Sequence, residues 1–348
     1  MVSQLAVAFL AAALTVCSAG ASAAVTQYKI VTASARGTYI QIGRDIAKFV
    51  APDAGIDLEV LPSAGSAENV QRMRYEPGVK LALVQSDGYQ AFLDEAAGGT
   101  ADAGAMIRPL RVIIPLYNEE IYFIVRSDSS LNYVHEIKDA KINVGPLRSG
   151  TAMSATTIYR QMFGTGLADA NASFLSNEDA LVKLIGDKSI DVVVVIAGQP
   201  AKLLVDMKPE ARQLIKLLKF DPENPASAAA LKTYFPATVR ATSYPNLLQQ
   251  DLPSVAVKAF LVTFDYTQQP TVGHLVGLAR SLCQNFGSLQ AEGHPKWREV
   301  ELALPELGRG WAYYAPMAKQ LRNCIAKRPA PKPVASCAQQ ERILGLCK

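Results

Sequence analysis

A chain of 348 residues that is 49% hydrophobic and 19% charged is long and apolar enough for two domains of ordinary size. Its net charge of +4 is unevenly spread: from Lys319 onward there are seven Lys/Arg and one Glu, so that stretch carries +6 and the rest −2. The basic stretch has no interleaved aromatic residues, which together with the export argued below excludes a nucleic-acid binder and leaves a solvated tail.

Residues 1–24 contain no Lys, Arg, Asp or Glu. Residues 2–16 form an apolar run, and Ala21-Ser22-Ala23 supplies a small-x-small cleavage site. That pattern predicts a secretory signal peptide over 1–24, too short for a membrane span. Cys17 follows Val16, which is not small, and this argues against lipid attachment there. Nothing later in the chain is apolar for long enough to cross a bilayer, so a soluble, periplasmic mature protein is expected. Export leaves Cys283, Cys324, Cys337 and Cys347, which read as two disulfides with three possible pairings. Cys324 with Cys337 is favoured, because the short loop between them holds Pro329, Pro331 and Pro333. The spacing fits no zinc pattern and the three His lie far away in sequence, so no metal or other cofactor is expected.

Tyr28-Lys29-Ile30-Val31-Thr32 reads as a first strand, followed by a turn of small residues around Arg36 and Gly37. A helix to about Val50 is predicted from Tyr39, Ile42, Ile46 and Phe49 at helical spacing. Residues 57–61 read as a second strand, closed by Pro62-Ser63-Ala64-Gly65-Ser66 and a helical turn or two. Residues 79–84 are a third, closed by Gln85-Ser86-Asp87 and a helix over 88–95. In parallel α/β sheets such turns line the carboxyl ends of the strands, where ligands bind.

Two further strands are predicted over 110–116 and 120–126, and a polar helix over 134–139. The stretch Lys141-Ile142-Asn143-Val144-Gly145-Pro146-Leu147-Arg148-Ser149-Gly150-Thr151 then runs from a short strand through a Gly/Pro turn into a helix ending at Phe163. Ser149 or Thr151 can cap that helix, and its remaining free N–H groups form a seat for a carboxylate or phosphate. A helix over 177–185 and a strand over 190–196 follow. Pro222, Pro225 and Phe235-Pro236 read as boundary punctuation. From residue 252 the chain reads as helical, with a strand-like 255–262, returning to the first domain. The expected domains are 25–119, 120–235, 236–318 as the return, and a tail over 319–348. Two domains crossed more than once form a cleft that can close by hinge motion.

Gly145-x-x-x-x-Gly150 has the glycine spacing of a phosphate loop, but Thr151 stands where Lys must reach the phosphates, which excludes nucleotide hydrolysis. No Gly-x-Ser-x-Gly elbow is present. His135, His274 and His294 are expected as surface or satisfied core residues. The adjacent carboxylates Glu119-Glu120 and Asp94-Glu95 are expected to be solvated. The chemistry therefore points to binding. Arg148 has two open placements, towards a ligand carboxylate or out to solvent, whereas Arg36 reads as outward.

Gly37-Thr38-Tyr39 with Gly43, Gly65-Ser66-x-x-Asn69 and Leu81-Ala82-Leu83-Val84-Gln85-Ser86-Asp87 resemble the TAXI family of TRAP-transporter solute receptors. The resemblance continues through Val144-Gly145, Ser149-Gly150-Thr151, Gly198-x-Pro200 and Tyr244-Pro245, and covers residues 28–314. It implies an α/β, two-domain periplasmic binding protein fold of type II with an interdomain ligand cleft. It also implies a small carboxylate solute, such as glutamate or a 2-oxo acid, presented to a TRAP membrane permease driven by an ion gradient. By position, Thr38, Tyr39, Ser66, Asn69, Gln85, Asp87, Ser149, Gly150, Thr151 and Gly198 would line the cleft. Arg36 and Arg148 stand where the family has small residues, and the tail after Lys319 has no counterpart. The expectation is thus a monomeric receptor, not an enzyme, with Arg148 completing the ligand set. The alternatives are an orphan receptor serving a sensor protein and an exported enzyme on the same fold.

Overall fold

The computed structural model describes residues 25–35, 37–100 and 102–327. The expected signal peptide, Arg36, Cys337 and Cys347 lie outside the described residues. The first lobe opens with β1 (Thr26–Val31), α1 (Thr38–Phe49), β2 (Ile56–Leu61), α2 (Ser66–Tyr75), β3 (Val79–Gln85), α3 (Gly88–Ala97) and α4 (Ala103–Ile107). β1 pairs in parallel with both β2 and β3. The chain then crosses on β4 (Leu110–Arg126) into a second lobe. That lobe holds β5 (Ile142–Asn143), α5 (Gly150–Phe163), β6 (Ala172–Ser173), α6 (Asn177–Ile185), β7 (Val192–Ala197), α7 (Lys202–Val205), β8 (Ile215–Leu217), α8 (Pro225–Ala230) and β9 (Phe235–Val239). It returns on β10 (Leu252–Phe264) and finishes in the first lobe with α9 (Gln269–Gln284), α10 (Phe286–Glu292) and α11 (Ala315–Ile325).

The ten strands among the described residues form one sheet, in the order β2-β1-β3-β10-β4-β7-β5-β6, with β8 on β4 and β9 on β10. β4 and β10 run antiparallel at its centre, paired from Leu110–Phe264 to Ile121–Val255, and belong to both lobes. The pleat explains how each lobe is covered on two faces. On β7, Val192 and Val194 face one apolar cluster while Val193 and Val195 face another. On β3, Leu81 and Leu83 face the cluster under α1 and α9, and Ala82 and Val84 the one under α2 and α3. Strands buried on both faces read as continuous apolar runs, which is why these were legible as strands.

Local signals account for several helix ends. Ser149 caps α5 by accepting from the Ala152 N–H at 3.0 Å, and Gly164 ends it at φ 72°. Ser176 caps α6 in the same way, with Glu178 and Asp179 in the first turn.

Four expectations need correction. The two strands over 110–116 and 120–126 are one, seventeen residues long, because Glu119 and Glu120 remain in the ladder with β10. Pro225 and Phe235-Pro236, read as punctuation, open α8 and β9, the latter paired with β10. The strand-like 255–262 is part of a longer, thirteen-residue strand, since its apolar residues are needed on both faces at the centre of the sheet, and the helical reading holds only from α9 onward. Cys324 bonds to Cys283, not to Cys337. The bridge ties α9 to α11, whose apolar face places Met317, Ala318 and Leu321 in the core. Residues 319–325, where the basic stretch begins, are the second half of α11.

Closing a loop of 41 residues, the bridge should stabilise the fold by roughly 2–4 kcal/mol. Cys324→Ser is expected to lose that amount in urea denaturation. Peptide mapping of the native protein should recover a Cys283–Cys324 linkage, and finding Cys324–Cys337 instead would refute the assignment.

Candidate functional site

Where β3 ends, Gln85 is buried, and its side chain reaches three elements. Its backbone N–H donates to Ser66 Oγ at 3.1 Å, at the start of α2. Its Oε1 accepts from Ser66 Oγ at 3.3 Å and from Ser154 Oγ, on α5 of the other lobe, at 3.4 Å. Its Nε2 donates to Glu119 Oε2 on the crossing strand at 3.3 Å. Tyr39, from the first turn of α1, donates its hydroxyl to the same carboxylate oxygen at 2.9 Å. One amide thus links both lobes and the strand between them.

Two glycines allow this approach. A Cβ on Gly150 would strike the Gln85 carboxamide. A Cβ on Gly65 would stand 2.8 Å from the Gly150 nitrogen, and Gly65 sits at φ 133°, a region only glycine enters easily. Backbone therefore packs against backbone between the lobes. Met153 of α5 extends the contact by joining the first lobe's apolar cluster. Asp94 on α3 meets Arg160 on α5 at 3.3 Å, a partly exposed pair that contributes little.

Beside Gln85, Asp87 is fully buried. Its Oδ2 accepts from the Tyr234 hydroxyl of the second lobe at 2.8 Å, and its Oδ1 has no partner. Burial pushes the Asp87 carboxyl up to about 6, against the hydroxyls of Ser154 and Tyr234 that favour its charged form. Burial likewise pushes Glu119 up to about 7, opposed by the hydrogen bonds from Tyr39 and Gln85, with Glu120 adding repulsion. Burial and then the Glu119 charge raise the Tyr39 hydroxyl well above its ordinary value, so it stays a donor.

Of the residues expected to line a cleft, Tyr39, Ser66, Gln85, Ser149 and Gly150 come together at this junction, with Asp87 adjacent. Thr38 is half-buried at the start of α1, and Thr151 packs against Gly145. Asn69 is buried, but its amide is engaged by the Thr32 carbonyl, the Leu83 carbonyl at 2.7 Å and Ser63 at 2.6 Å, where it ties strand ends together. Arg148 is exposed at φ 63°. Gly198 lies apart, under the Lys296 stem. His274 is held by Thr26 and Tyr28.

Sequence reasoning missed Glu119, Ser154 and Tyr234. Glu119-Glu120 was expected to be solvated, yet both are buried within β4. The usable signal was the apolar sequence on either side, continuous enough for one strand. Ser154 and Tyr234 carry no local signal, because only the packing of the lobes brings them to Asp87.

The carboxyl shifts give a pH dependence of defined sign. A group whose pKa rises on folding stabilises the fold fully below its unfolded value and loses that contribution as pH climbs through the folded one. From values of 3.8 and 4.5 to about 6 and about 7, the window runs from roughly pH 4 to pH 7. Glu119→Gln should flatten the fall of stability across it by on the order of 3 kcal/mol, read by urea denaturation at both ends. An unchanged pH profile in the variant would refute the burial argument.

The model of the NMT1-like family matches residues 30–303 of this chain. Among solved structures, a TctC solute-binding protein from Polaromonas is 19% identical, with 87% of this chain and 99% of that one covered at a TM-score of 0.41. The periplasmic binding protein BugD is 14% identical, with 87% and 95% covered at 0.46. The arginine-, lysine-, histidine-binding protein ArtJ from Geobacillus stearothermophilus is 12% identical, with 81% and 99% covered at 0.43. The fold is α/β, with two lobes built on one mixed ten-stranded sheet.

Proposed function

The chain belongs to the NMT1-like family, and from that premise we propose that it is an extracytoplasmic solute receptor. It closes on a small carboxylate, such as glutamate or a 2-oxo acid, and hands it to a TRAP-type membrane permease. One observation carries this reading: two lobes joined by the paired β4 and β10 meet through a glycine contact, Gly65 on Gly150, that admits no side chain. Lobes joined by paired crossing strands can part by bending there and close again on a ligand.

The Gln85 carbonyl oxygen lies against the first turn of α5, and this supports an anion seat at Ser149, Gly150 and Thr151. A helix N-terminus favours an oxygen bearing negative charge, and a solute carboxylate would displace the weaker amide. Thr38, Tyr39, Ser66 and Gln85 would hold the other end of the solute, with Asp87, Asn69 and Gly198 shaping the walls. Arg148, exposed at the mouth, would meet the incoming anion. The motif resemblance to TAXI receptors, from Gly37 to Tyr244, supports the permease as partner.

Calorimetry with dicarboxylates, amino acids and 2-oxo acids tests the function. Gly150→Val tests the closure. Forcing a side chain into that contact should cost closure about 1–3 kcal/mol, hence roughly ten- to hundredfold in affinity, while circular dichroism stays native. Unchanged affinity in a folded Gly150→Val protein would overturn the closing mechanism. The absence of binding by any small anion would overturn the receptor reading itself.

A further inference from the structure

Successive residues of a strand point to opposite faces, so Glu120 looks away from the Gln85 junction that Glu119 faces. On its side lies a cavity of about 570 Å³. Both lobes and both crossing strands contribute to its wall: Tyr117 and Glu120 from β4, Lys258 from β10, Arg240 from the second lobe and Lys296 from the first. Lys296 is buried and neutralised by Glu299 at 2.7 Å. Among the described residues, Arg240, Lys258 and Glu120 have no ion-pair partner within 4 Å. Glu120 accepts the Gln199 backbone N–H at 2.8 Å, and the nearby Lys296 charge favours its ionised form.

The register sets the spacing of these charges. Lys258 pairs with Asn118 and Ala256 with Glu120, so Lys258 and Glu120 are diagonal neighbours on one face of the ladder. Diagonal neighbours stand about 7–8 Å apart, close enough to share a small molecule between them. Arg240 is brought alongside by its backbone N–H, which donates to Gln199 Oε1 at 2.6 Å. One further polar atom on this face of the ladder, Asn118 Oδ1, is buried without a partner. An amide oxygen can only accept, so the wall asks for a donor. Buried polar groups are rarely left unsatisfied.

We propose that this cavity is a second ligand site, separate from the Gln85 junction, for a small zwitterion carrying both an ammonium and a carboxylate. The ammonium seats on Glu120 and Asn118, and the carboxylate on Arg240 and Lys258. A pure anion leaves Glu120 repelling it, and a pure cation leaves Arg240 and Lys258 doing the same. Because the wall draws on both lobes, a bound zwitterion holds them in the relation seen here and favours the closed form.

The twenty common L-amino acids serve as probes by thermal shift, and calorimetry then compares each that binds with its 2-oxo acid. At least one amino acid should bind. Its 2-oxo acid should bind at least about tenfold more weakly at this site, as should the amino acid itself to Arg240→Ala or Lys258→Ala. Glu120→Gln should remove the preference for the amine. Arg240 is exposed and Lys258 half-buried, so both variants should fold. Dicarboxylate or 2-oxo acid binding at the Gln85 junction should survive in Arg240→Ala and fail in Gly150→Val, which separates the two sites. The proposal is overturned if no amino acid binds, if the 2-oxo acid binds this site equally well, or if binding ignores Arg240 and Lys258 both.

Discussion

Glu119 and Glu120 stand where a seventeen-residue strand passes from one lobe to the other, and the pleat sends them to opposite faces. Much of what the molecule can do follows from that pair. Glu119 anchors the amide of Gln85 and the hydroxyl of Tyr39, and through Gln85 it is linked to α5 of the second lobe. Glu120 faces a charged cavity to which both lobes contribute. Eleven residues of β4 that precede or follow the pair, among them Ile113, Ile114, Ile121 and Phe123, are buried apolar side chains that fix the strand in place. The carboxylates therefore cannot move to water without breaking the ladder with β10.

Holding two carboxyls there is costly, and the cost is visible in their chemistry. Burial favours the protonated form of Glu119 and raises Glu120 as well. A strand chosen only for stability would carry Val or Ile at both positions. Asp87 repeats the pattern, with one oxygen held by Tyr234 across the lobes and the other unpartnered. Polar groups kept buried and only partly satisfied lower the stability of the fold where they stand, a burden that an apolar side chain would not carry. The glycines say the same in backbone terms, since Gly65 and Gly150 trade side-chain packing for close approach.

The described residues from 269 to 327 complete the first lobe. α9 and α11 cover the face of the sheet also covered by α1, and Cys283–Cys324 joins them. Trp297, fully buried, donates to Asp45 of α1 at 2.9 Å, which fixes the short turn that carries Lys296 to the hinge cavity. The placing of Lys296 on that cavity's wall thus depends on packing between segments about 250 positions apart in sequence.

The α/β class, the parallel strands with their small-residue turns and the capped start of α5 were legible in the sequence. Each rests on local periodicity or on a capping residue acting within a few positions. The gathering of Tyr39, Ser66, Gln85 and Gly150 was legible only as a shared position at strand ends. What the tertiary structure alone decided was pairing across distance. β4 reads as two strands because charge suggests a break, and only the ladder with β10 keeps it whole. β9 looks like a proline-marked boundary, but an edge strand tolerates Pro236. Cys324 had a near partner in Cys337 and a far one in Cys283, and the packing of α11 on α9 brought the far one into reach. Local sequence determines which elements form and how they end. The relation of one lobe to the other comes from contacts between residues far apart in the chain, for which short-range pattern carries no information.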